Sequence, residues 1–113
     1  MRLLHRLAGR VPVWPMDPVP AGGSLVVEIY TRAFIRHAGL SGRKVRSRAD
    51  LNAALKALGS KPARLRHEPS DHETDVLIAA AGMRAIAGEP RWWNPKGLTP
   101  ELARSEGWTF GVA

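Results

Sequence analysis

Leu25-Val26-Val27-Glu28-Ile29-Tyr30 is a continuous apolar run, rich in β-branched residues and interrupted by a single acid. The pattern predicts a strand covered on both faces, as in mixed or parallel sheets. A charge inside such a strand is costly to bury, so the reading requires Glu28 to be paired or metal-bound.

Working outward, Thr31 is expected to cap a helix that runs through His37 and closes at Gly39. Ser47 with Asp50 three positions on, and Ser70 with Glu73, have the spacing of capping boxes. The first opens a helix carrying Leu51, Ala54, Leu55 and Leu58 on one side. The second opens the longest helix, Ala-rich and largely buried, to about Ala87. Between them Lys61 to Pro69 is a basic connector with a short extended stretch around Ala63 to Leu65. After Gly88-Glu89-Pro90, residues 91–97 read as an irregular aromatic loop, and Thr99-Pro100-Glu101 starts a short helix closed by Gly107. Trp108 to Val112 alternates and is expected either to add a last strand or to pack its aromatics against the sheet. Upstream, Leu3, Leu4 and Leu7 share one side of a short helix, Val11 to Trp14 is a short strand or extended piece, and Pro15 to Gly23 is a loop, rigid and then flexible. Strand and helix alternate, which places the chain in the α/β class as one domain over residues 1–113.

A chain of 113 residues suits one small core. Lys and Arg outnumber Asp and Glu by 17 to 10, for a formal charge of +7, so polyanions are natural partners. The excess is concentrated: Arg43, Lys44, Arg46, Arg48, Lys56, Lys61, Arg64 and Arg66 face only Asp50 within their segment. The competing explanation is a solvated basic face. With no cysteine, disulfide, thiolate and Cys-zinc chemistry are excluded, and the expected compartment is the cytoplasm. No stretch has the length of a membrane span or the uninterrupted apolar core of a signal peptide.

Asp71 and Asp75 are four apart, so a helix points them the same way, while Glu73 projects elsewhere. Acids at a helix start are favoured by capping and by the macrodipole, which accounts for Asp71 and Glu73. Asp75 lies a turn further in, beyond that explanation. If the strand presents Glu28 at the same face, three carboxylates converge in a set suited to Mg²⁺ or Mn²⁺; a buried bridge from Glu28 to an arginine is the alternative. His5, His37, His67 and His72 show no metal-ligand spacing, and His72 alone is placed to orient a water or a phosphate. Trp92 and Trp93 are read as packing rather than base-stacking residues.

Three short motifs in order carry a family resemblance. Val27-Glu28-Ile29-Tyr30-Thr31-Arg32-Ala33, then Asp71-His72-Glu73-Thr74-Asp75 running into Leu77-Ile78-Ala79-Ala80-Ala81, then Glu106-Gly107-Trp108 with Gly111-Val112, resemble the C-terminal half of the domain of unknown function 429. Members of that family are regarded as predicted nucleases with a ribonuclease H-like fold. The resemblance implies a mixed sheet flanked by helices and an acidic site binding divalent metal. In it Glu28 matches the strand glutamate and Asp75, helped by Asp71, matches the acids of the last long helix. Thr31 stands where the family commonly has proline, and Val76 where alanine is usual.

The larger departure is at the start. Ribonuclease H-like folds begin with a hairpin whose first strand supplies an aspartate, and before Glu28 there is only Asp17, in a Pro-rich loop. Two readings stay open: a truncated or split domain, or one that has lost activity and persists as a binding or structural piece. A sheet without its first strands exposes pairing edges, which favours a second copy or a partner that completes it. The functional expectation is a metal-dependent nuclease-like domain acting on nucleic-acid phosphodiesters, gripping phosphates through Arg43, Lys44, Arg46, Arg48, Arg64 and Arg66. The alternative is a non-catalytic module using the same basic segment to bind nucleic acid or protein.

Overall fold

The computed structural model describes residues 2–41 and 44–113. In chain order the elements are α1 (Arg2–Leu7), β1 (Glu28–Ile29), α2 (Thr31–His37), α3 (Arg48–Ala57), α4 (Asp71–Ile86), α5 (Pro90–Trp93), α6 (Pro100–Ser105) and β2 (Thr109–Phe110). They form two compact units. The first joins residues 1–29 to 89–113, and the second is the intervening stretch 30–88.

Hydroxyl side chains fix where three helices begin, because each satisfies a backbone N–H that the first turn leaves without a partner. Ser47 Oγ accepts from Asp50 N at 3.1 Å. Ser70 Oγ accepts from Glu73 N at 3.2 Å while the Glu73 carboxylate accepts Ser70 N at 2.8 Å, a complete capping box. Thr99 Oγ1 accepts from Leu102 N at 3.2 Å, with Pro100 in the first turn. At α2 the expectation fails: Tyr30 is the N-cap, no side chain caps it, and Thr31 is already helical. The stretch expected to be an irregular loop contains the single turn α5.

In the second unit α2 and α3 both pack on α4. Phe34, Leu51, Ala54 and Ile78 are fully buried. Gly82 on α4 is what lets α2 come close, since a Cβ built there would overlap the Phe34 ring.

In the first unit β1 and β2 pair in parallel, with Glu28 opposite Thr109 and Ile29 opposite Phe110. Val13 and Val26 form a further parallel bridge. Trp14 meets Trp93 edge-on at 5.6 Å between ring centroids, and Phe110 lies 4.3 Å from Trp93. The tryptophans of α5 therefore pack, as their setting predicts. Asp17 closes the Pro-rich loop by accepting from Val13 N at 2.8 Å.

The architecture is thus mixed, with helices and a small parallel sheet, but the decisive run is not the covered strand expected of it. Leu25, Val26 and Val27 are half-buried, and Glu28, Ile29 and Tyr30 are exposed. β1 has only two residues and, among the described residues, pairs in a two-stranded sheet, so the run is not an interior strand of a larger covered sheet.

Candidate nucleic-acid interface and acidic pair

The second unit carries the basic segment. Lys44, Arg46, Arg48, Lys56, Lys61, Arg64 and Arg66 are all exposed, and among the described residues none of them forms an ion pair. Arg43 lies outside the described residues. Cations left without carboxylate partners keep their full charge available to an anionic ligand, screened only by salt.

Part of this surface is held in place. Arg48, at the first position of α3, donates from Nη1 to the Leu65 carbonyl at 2.8 Å, and its backbone N–H donates to Glu68 Oε2 at 2.8 Å. Asn52 Oδ1 accepts the Ala63 N–H at 2.9 Å. His67 Nε2 stands 3.0 Å from Glu73 Oε1. The connector between α3 and α4 is thus tied to both helices. Arg48 therefore has a structural bond in addition to its charge, while the Arg64 and Arg66 guanidinium groups make no hydrogen bond or ion pair among the described residues. Nothing in the local sequence announces Asn52 and His67 as anchors, because their partners lie eleven and six positions away.

Asp71 and Asp75 are both exposed, one turn apart at the start of α4, and His72 beside them is exposed too. Glu73 is engaged otherwise: the Ser70 backbone N–H and the His67 ring hold its carboxyl below the usual range. It belongs to the cap and not to a metal set.

Glu28 lies on β1 of the first unit, where its Oε1 accepts from Thr109 Oγ1 at 3.4 Å. Being exposed, it carries no burial cost, and the inference that it must be paired or metal-bound falls away. Among the described residues no three His, Asp or Glu side chains gather closely enough to hold a metal ion. The fit to Mg²⁺ rests on two carboxylates. That is compatible with an ion which usually keeps several waters and takes one or two carboxylates together with substrate phosphates.

Among the described residues no helix is long and apolar enough to cross a membrane. Comparison with protein-family models, with curated proteins and with solved structures finds no match.

Proposed function

We propose that this chain acts on nucleic-acid phosphodiesters as a metal-dependent, nuclease-like domain of the ribonuclease H-like class. One observation carries the reading: the second unit presents seven exposed cations without ion-pair partners and, at the start of its longest helix, two exposed aspartates one turn apart. The cations bind phosphate and the aspartates supply oxygen ligands, two requirements of metal-assisted phosphodiester chemistry. The three motifs that resemble the family of unknown function 429 add the ribonuclease H-like assignment.

In this reading Asp71 and Asp75, both on the second unit, hold Mg²⁺ or Mn²⁺. An ion held there would supply Lewis acidity and an activated water. Lys44, Arg46, Arg64 and Arg66 hold the phosphate backbone. These contacts are independent of base sequence, so binding falls steeply as salt rises.

A labelled oligonucleotide incubated with the full chain, with Mg²⁺ or with a chelator, tests the reading. Metal-dependent cleavage that disappears in Asp75→Asn while binding persists supports it. Binding without cleavage under any metal favours the second reading, a non-catalytic nucleic-acid-binding module, which the exposed cations alone would support.

A further inference from the structure

The connector from Lys61 to Glu68 contains neither helix nor strand, yet it is pinned by Asn52, Arg48 and the His67 to Glu73 contact. A surface segment without its own backbone ladder is ordinarily among the least stable parts of a protein. Here the anchors act on alternate positions: Ala63 through its N–H and Leu65 through its carbonyl. Both residues are half-buried, whereas Arg64 and Arg66 are exposed. The alternation is that of an extended chain with one side against the protein and the other presenting cations.

Two residues of extended chain advance about 7 Å, a stride comparable to that between successive phosphates on an unpaired strand. Arg48 also brings the start of α3 beside Leu65 and Glu68, so exposed Arg46, two positions before Arg48, extends the same basic surface. Duplex phosphates follow a helical path that leaves a straight segment after few contacts, whereas a flexible single strand can be laid along it. Holding the segment in advance reduces the ordering cost of binding.

We infer that this strap is a ladder for the backbone of single-stranded nucleic acid, with Arg64 and Arg66 on neighbouring phosphates and Arg48 and Asn52 as positioning residues. The inference rests on the nucleic-acid reading above and names its substrate class. Glu68 does not oppose the ladder, because its carboxylate is turned to the Arg48 backbone.

Fluorescence anisotropy of the full chain with a labelled oligothymidylate of roughly 15 nucleotides, and with a duplex of equal length, decides it. A chelator is present throughout, so that metal chemistry plays no part. Arg64→Gln with Arg66→Gln is expected to weaken single-strand binding about tenfold and to flatten the slope of log affinity against log salt by about 1.4, or ~0.7 for each lost contact. Arg36→Gln with Arg84→Gln removes the same charge elsewhere on the unit, from exposed positions outside the basic segment, and is expected to change affinity by less than about twofold. Asn52→Ala keeps every charge and is expected to weaken binding with the slope unchanged; circular dichroism verifies that each variant is folded. Equal losses in the two double variants, or a duplex bound as tightly as the single strand, overturn the strap while leaving the broader nucleic-acid reading standing. Absence of binding to either form overturns both.

Discussion

The Glu73 carboxylate is shared between two contacts: Oε2 accepts the Ser70 N–H at 2.8 Å, and Oε1 lies 3.0 Å from His67 Nε2. One side chain therefore both caps α4 and ties the basic connector to it. The arrangement makes the start of α4 sensitive to acid. The folded-state pKa of Glu73 is lowered from its ordinary value of 4.5. Its contribution is therefore present in full above that value and is lost as pH falls through the lower folded value. Thermal unfolding followed between neutral and acidic pH is expected to show this loss, and Glu73→Gln is expected to remove that part of the dependence. Identical pH profiles for the two proteins would contradict the assignment.

Close approach of α2 to α4 depends on Gly82 having no side chain. Gly82→Ala would gain helix propensity of about 1 kcal/mol but must displace the Phe34 ring, and overpacking of this kind costs about 1–3 kcal/mol. The net change in urea unfolding is expected to be destabilising. Phe34→Ala, which empties a fully buried site, is expected to cost about 3–5 kcal/mol. A Gly82→Ala variant more stable than the parent would show that this contact does not limit the packing.

Loss of a helix cap removes a partner from a first-turn N–H. Ser47→Ala and Ser70→Ala are each expected to destabilise the protein by about 1 kcal/mol, readable as a lower denaturant midpoint. Ser70→Ala also breaks half of the capping box and is expected to be the more damaging of the two.

The aromatic group of the first unit joins Trp14, Trp93 and Phe110. Phe110 is fully buried on β2, and Phe110→Ala is expected to cost about 3–5 kcal/mol. Quenching or a red shift of tryptophan emission should accompany it, because both neighbouring indoles lose a ring contact. Unaltered emission and stability would argue against the cluster.

Legibility in the sequence follows the range of the forces involved. The starts of α3, α4 and α6 were readable because capping acts within three residues, as at Ser47, Ser70 and Thr99. The spacing of Asp71 and Asp75 was readable for the same local reason. The surroundings of Leu25 to Tyr30 were not, since burial of a strand is decided by distant neighbours; the apolar run predicts a covered strand, yet Glu28 is exposed. Thr31 looked like a cap from composition, but Tyr30 took that position in the backbone. The cations were visible as a cluster, whereas the anchoring of their connector by Arg48 and Asn52 depends on partners brought near only by the fold.

Turnover assays can be mimicked by traces of other nucleases, so the most direct measurement of the central claim reads the residues themselves. A two-dimensional amide spectrum of the full chain is recorded with and without a small amount of Mn²⁺, for the parent and for Asp75→Asn. Selective broadening of amides around Asp71 and Asp75 is expected in the parent and not in the variant. Dispersed spectra with no selective broadening, or the same broadening in Asp75→Asn, would contradict it.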